Sequence, residues 1–187
     1  MLGSETEVQH ILRGLDQSLK RNLNFNFLLF GHEKKIKKHI LKFKRLNASS
    51  DIISCEDFVK MTDKPSEVIK SKVQTSMLQA IESVSNNISN AVLSFGNTGA
   101  LMSLSLLKIK TQDDIKRPAI ASIWPNLKGE SIVLDLGANT KLDERYLVEN
   151  AILGSSLASI LFKINKPSIG LLNVGKEDTK GLETIKI

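Results

Sequence analysis

The segment Ser94-Phe95-Gly96-Asn97-Thr98-Gly99-Ala100-Leu101-Met102 packs a strand end, a glycine-bounded turn and a helix start into nine residues. The first N–H groups of a helix have no acceptor within it, and the helix dipole makes that end positive, so the chemistry offered is anion binding. Gly96 and Gly99 permit tight or positive-φ backbone at the turn. The same pattern also serves as a plain connector in α/β proteins that bind nothing there. Two further turns carry amide side chains after apolar runs: Asp135-Leu136-Gly137-Ala138-Asn139 and Asn173-Val174-Gly175. Asn97, Asn139 and Asn173 each supply donors and an acceptor, and Thr98 adds a hydroxyl. Each asparagine alone also fits the role of a turn residue that tolerates left-handed backbone. Lys180, in the charged stretch Lys176-Glu177-Asp178-Thr179-Lys180-Gly181, is either a cation for phosphate or oxyanion charge or an exposed lysine without a task.

The elements that must position these residues follow from apolar spacing. Strand-length apolar runs alternate with longer segments of helical period, the pattern of an α/β protein with a mostly parallel sheet. Helices are predicted over 8–21, 33–43, 66–84 with a break or bend near 73–76, 98–108 and 144–162. Strands are predicted over 25–30, 51–55, 91–94, 118–123, 132–136 and 168–174, with Asn126-Leu127-Lys128-Gly129 as a turn. In a parallel sheet all strand C-termini lie on one edge, where ligands bind, so the three amide-bearing turns are expected to line one cleft.

Composition narrows the function classes. One domain spanning residues 1–187 is the default for this length. No apolar run reaches the ~18 residues of a membrane span, and the N-terminus lacks a signal-peptide pattern, so a cytoplasmic location is expected. The single cysteine, Cys55, excludes an internal disulfide and reads as a small apolar residue. His10, His32 and His39 stand apart from the glycine turns, which argues against a histidine metal site or a Ser-His-Asp arrangement. Trp124 and Pro125 fit either a pocket wall or core packing. The formal charge of +6 permits an acidic partner. Its densest cluster, Lys34, Lys35, Lys37, Lys38, Lys42, Lys44 and Arg45, interleaves with Ile36, Ile40 and Leu41 as the solvated face of an amphipathic helix. No stacking aromatics or reading motif accompany it, so nucleic-acid binding is not expected.

Six blocks, taken together, resemble the PlsX-type phosphate acyltransferases in order and spacing. They are Thr62-Asp63-Lys64-Pro65-Ser66, Thr75-Ser76-Met77, Gly96 to Met102, Arg117-Pro118-Ala119, Leu134-Asp135-Leu136-Gly137-Ala138-Asn139 and Gly170 to Gly181. The resemblance implies a three-layer α/β/α sandwich like that of isopropylmalate dehydrogenases and phosphate acetyltransferases, usually a homodimer. It implies conversion of acyl-[acyl carrier protein] and inorganic phosphate to acyl phosphate, for phospholipid synthesis, with no metal or organic cofactor. Carried onto this sequence, phosphate binding falls to Asn97, Thr98 and Gly99, pocket formation to Asn139 and Asn173, and charge stabilisation to Lys180. The resemblance implies that Asn173 and Lys180 are the catalytic pair.

The departures generate expectations of their own. Where the family opens with a strand and an Asp-Ala-Met-Gly-Gly-Asp-type loop, this chain has only Met1-Leu2-Gly3-Ser4-Glu5. Val73 stands where a basic residue is common, Lys176 where an acidic or small polar one is usual, and Leu182 where the family has Asn. The resemblance therefore implies an enzyme truncated at both ends, lacking the segment that places the family on membranes. An inactive relic and a carrier-protein-binding fragment without turnover are the alternatives.

Overall fold

The computed structural model describes residues 3–21, 24–112, 114–139, 143–173 and 175. It is a mixed α/β structure with two small sheets, one parallel and one antiparallel, and the chain divides into two compact units, Met1–Lys110 and Thr111–Ile187.

The first unit opens with α1 (Val8–Arg21), whose Val8, Ile11, Leu12, Leu15 and Leu19 recur at helical spacing and face inward. Strand β1 (Phe27–Gly31) then pairs in parallel with β2 (Ser50–Ser54), from Phe27 opposite Ser50 to Gly31 opposite Ser54. The crossover between them is two helices, α2 (Glu33–Ile40) and α3 (Lys44–Ala48), where one helix to Phe43 was predicted. Packing explains the break. In a continuous helix Leu46 would point well away from the face of Ile36 and Ile40. The turn at residues 41–43, with Phe43 at φ −115°, ψ 78°, brings Leu46 to full burial beside them. Leu12, Leu19, Leu29, Ile36, Ile40 and Leu46 form this first core, each worth about 1.5–3 kcal/mol on burial. Cys55 follows β2 and is buried, and burial pushes its thiol pKa up, as suits a packing residue.

Of the break or bend expected near 73–76 in the helix over 66–84, the structure has the break: α4 (Pro65–Lys70), with Pro65 in its first turn, and α5 (Ser76–Ser85). The Thr75 hydroxyl accepts the N–H of Leu78 at 3.3 Å and starts α5 afresh, which requires extended backbone just before it. Helix α6 (Thr98–Lys108) has the predicted bounds. Val59, Met77, Leu78, Ile81, Ala100 and Leu104 make the second core, which joins α5 to α6. The strand predicted over 91–94 is not formed. That segment has no ladder partner among the described residues, and Leu93 is exposed while Val92 packs on the second core.

The second unit contains a hairpin, β3 (Ser122–Asn126) and β4 (Gly129–Val133), and the long helix α7 (Glu144–Phe162) with its predicted bounds. The strands pair antiparallel, from Ser122 opposite Val133 to Asn126 opposite Gly129. The predicted turn is where the sequence puts it, with Gly129 at φ 138° and the Asn126 side chain accepting the Lys128 N–H at 2.7 Å. Both strands lie closer to that turn than predicted, because turn geometry fixes a hairpin's register. The strand predicted over 168–174 is not assigned among the described residues.

Candidate functional site

Two constellations, one in each unit, carry four of the predicted site residues: Asn97, Thr98 and Gly99 in the first and Asn139 in the second. In the first, Asn97 caps α6. Its Oδ1 accepts the N–H of Ala100 at 3.0 Å, while Nδ2 donates to the carbonyls of Lys60 (3.2 Å), Met61 (3.1 Å) and Asp63 (2.9 Å). This pattern fixes the amide's orientation, since only oxygen can face the N–H and only nitrogen the carbonyls. Asn97 is 8% exposed and fastens the loop over 60–63 to the start of α6. The loop is further tied by Asp63, whose Oδ2 accepts the Lys60 N–H at 2.8 Å.

Gly99 is required for close approach, and Gly96 sits tightly against the end of a flexible side chain. Neither adopts positive φ, in contrast to Gly3, Gly129 and Gly137. A Cβ on Gly99 would lie 2.9 Å from Cγ of Pro65, and one on Gly96 would lie 3.3 Å from Cε of Met77. The blocks Thr62 to Ser66, Thr75 to Met77 and Gly96 to Met102, distant in sequence, are thus one packed assembly. With the Asn97 amide committed to the protein, the groups this turn can offer an anion are the N–H groups of Thr98 and Gly99 and the Thr98 hydroxyl. Thr98 is exposed.

A cavity of about 330 Å³ adjoins the loop, lined by Phe58, Val59, Val68, Leu78 and Leu104, with Asp57, Asp63 and Glu67 also in its wall. It has no cation in its lining, so it suits an apolar group better than an anion.

In the second unit, Asp135 organises the other amide-bearing turn. Its Oδ1 accepts the N–H groups of Ile120 (2.9 Å) and Ala138 (3.1 Å). Its Oδ2 accepts the Asn139 N–H (2.9 Å), Asn139 Nδ2 (3.0 Å) and the Tyr146 hydroxyl (2.7 Å). Burial alone would raise the Asp135 pKa. The donors, Tyr146 first, outweigh it and hold the carboxyl below its ordinary value. Tyr146 is driven the other way, up to about 12, by burial and then by its bond to the carboxylate. Asn139 is held by the same group, because Nδ2 also donates to the Pro118 carbonyl at 3.1 Å and to the Tyr146 oxygen. The Arg117-Pro118-Ala119 and Leu134 to Asn139 blocks therefore meet through Asn139.

At the start of α7, Asp143 accepts the Tyr146 N–H at 2.8 Å. One turn on, Glu149 is buried, accepting from Arg145 Nε at 2.8 Å and from the Lys116 N–H at 3.0 Å. Arg145 first, then Lys116, hold its pKa low. Lys116, Arg117, Arg145 and Tyr146, with three carboxylates, line a cavity of about 450 Å³.

Asn173 is exposed in the second unit. Lys180 lies outside the described residues, as does Lys176. Asn97, Thr98 and Gly99 are contiguous on one helix end, and Asn139 belongs to the Asp135–Tyr146 network. Sequence reasoning missed Tyr146, although the chain's only tyrosine, three residues after an Asp at a helix start, was a usable signal.

Across residues 1–187 the sequence matches the family described as "Fatty acid synthesis protein". The chain belongs to that family. Phosphate acyltransferases of Sinorhizobium fredii and Sinorhizobium medicae are 40% and 41% identical to it over 187 residues, and one of Brucella anthropi is 40% identical over 186. These alignments cover 99–100% of this chain and 53–54% of the relatives, so the chain spans about half the length of the curated relatives it matches. The resemblance to PlsX-type phosphate acyltransferases read from the six blocks is borne out. Among the described residues, no helix is long and apolar enough to cross a membrane.

Proposed function

We propose that this member of the fatty acid synthesis protein family works in acyl transfer from acyl-[acyl carrier protein] to inorganic phosphate, giving acyl phosphate and the free carrier. The observation that carries this reading is 40–41% identity to phosphate acyltransferases along the whole chain. Phosphate oxygen attacks the thioester carbonyl, the carbon–sulfur bond breaks, and the thiolate leaves with the carrier. The protein's task is to hold an anion beside a carbonyl and stabilise the tetrahedral oxyanion.

In this reading the N–H groups of Thr98 and Gly99 take phosphate, and Asn97 acts by fastening the 60–63 loop beneath them. Asn139 shapes the substrate pocket from its anchorage on Asp135 and Tyr146. Asn173 and Lys180 are the proposed catalytic pair, Lys180 neutralising phosphate or oxyanion charge. The fold of the family in this reading is a three-layer α/β/α sandwich with a mostly parallel sheet, and the protein is a homodimer. Neither metal nor organic cofactor takes part.

Phosphate-dependent formation of acyl phosphate by the purified chain tests the proposal, with Lys180→Ala alongside. Turnover lost in the variant supports it. Carrier binding without acyl phosphate, under conditions where a full-length relative is active, overturns catalysis by this chain.

A further inference from the structure

The chain's charge is concentrated in one place. Residues 33–45 hold seven cations, Lys34, Lys35, Lys37, Lys38, Lys42, Lys44 and Arg45, against one carboxylate, Glu33. That imbalance equals the formal +6 of the whole chain, so all other residues together are neutral. All seven cations are exposed, and among the described residues only Lys37 is in an ion pair, with Glu33 at 2.5 Å. The segment is rigidly backed: Ile36, Ile40 and Leu46 on its inner side are 1%, 2% and 0% exposed. Leu41, 70% exposed, stands among the lysines as an apolar contact.

We propose that the outer face of α2, the turn at 41–43 and α3 is a docking surface for an acidic protein, the carrier that delivers the acyl group. The identity of that partner rests on the function proposed above. An array of unpaired cations around one exposed leucine matches the polar rim and apolar contact of a protein interface, and it steers an acidic partner from a distance. A membrane fits less well. A helix lying in a lipid surface must insert its apolar side, and here that side is locked in the core.

The start of α2 lies at the sheet edge from which the chain also runs on to the 60–63 loop. Strands β1 and β2 are parallel, and Gly31 and Ser54 end them side by side, where Cys55 N–H donates to the Gly31 carbonyl at 3.0 Å. From that edge one chain segment enters α2 at Glu33. The other runs on to the 60–63 loop that Asn97 fastens.

The test compares two variants of equal net charge in the full 187-residue chain. Lys34→Glu/Lys38→Glu reverses the outward row of α2, while Lys128→Glu/Lys166→Glu reverses exposed lysines of the other unit. Affinity for a purified acyl carrier protein is measured by calorimetry at low and moderate salt. The α2 pair is expected to lose binding by about tenfold or more, with a flatter salt dependence, and the control pair by less than about twofold. Lys34→Gln/Lys38→Gln, which preserves solvation without the reversal, is expected to fall between. Equal losses in both charge-reversed variants would overturn the proposal, as would tighter binding of phosphatidylglycerol vesicles or a DNA duplex than of the carrier, abolished by the same α2 changes. A separate arm follows acyl phosphate formation. Patch-dependent carrier binding without turnover upholds the surface and rejects the catalytic reading. Turnover with a KM for acyl carrier protein unaffected by the α2 pair upholds catalysis and rejects the surface.

Discussion

Replacing Asn97 separates two jobs that one side chain performs. Asn97→Ala removes the cap on the Ala100 N–H, a loss of about 1 kcal/mol. It also strips the shared donor from the carbonyls of Lys60, Met61 and Asp63. Lys60 and Met61 are exposed residues whose carbonyls recover water readily, so this second loss sits near the low end, about 1–2 kcal/mol. The expected total is about 2–3 kcal/mol. Asn97→Ser restores the cap alone and should regain about 1 kcal/mol of it. Asn97→Asp also keeps a capping oxygen and gains from the helix dipole, but it turns the donor into a second acceptor facing three carbonyls. The aspartate variant should therefore be no more stable than the serine variant. Urea unfolding followed by far-UV circular dichroism measures the series. The chain's only tryptophan, Trp124, and only tyrosine, Tyr146, lie in the second unit, so their fluorescence reports that unit separately. Serine and aspartate variants both within about 0.5 kcal/mol of the parent would refute the clasp, because capping alone would then account for Asn97.

Gly99→Ala should destabilise by about 1–2 kcal/mol despite alanine's better helix propensity, since its Cβ would meet Pro65 at 2.9 Å; pairing it with Pro65→Ala should return most of the loss in a double-mutant cycle. Tyr146→Phe should cost about 1–2 kcal/mol by leaving Asp135 and Asn139 without the hydroxyl. Because the folded Tyr146 pKa is raised to about 12, its contribution is full below the unfolded value and is lost as pH rises through about 12, which ultraviolet titration of the phenol detects. Asp135 runs oppositely: its folded pKa is lowered, so its contribution is present above the ordinary carboxylate value and disappears as pH falls through the depressed one. Asp135→Asn should accordingly be less stable at neutral pH and show a weaker acid dependence in the tryptophan-monitored transition.

Helices with clear apolar period were legible: α1, α6 and α7 have the bounds expected over 8–21, 98–108 and 144–162. The turn at Asn126 to Gly129 was legible because its backbone demands are local. Breaks set by tertiary demand were less so. Nothing local at Leu41 says that the chain must stop so that Leu46 can reach the core. Strands over 91–94 and 168–174 were read from apolar runs, yet a strand exists only where a neighbour completes its ladder. For the site, spacing drew attention to Asn97 and Asn139, whose side chains each anchor a hydrogen-bond network, but not to their partners. Which carbonyls an amide meets depends on loops tens of residues away, as with Asn97 and Asp63. Gly99 was noticed for its conformational freedom, whereas its missing side chain is what Pro65 needs.

The most direct measurement is the transfer itself: purified chain, acyl-[acyl carrier protein] and isotopically labelled phosphate, with label followed into acyl phosphate and release of the free carrier thiol followed in parallel. The proposed function predicts equal appearance of label and thiol, dependent on phosphate and lost in Lys180→Ala. Thiol release without label in acyl phosphate, or neither product while a full-length relative turns over beside it, would contradict it.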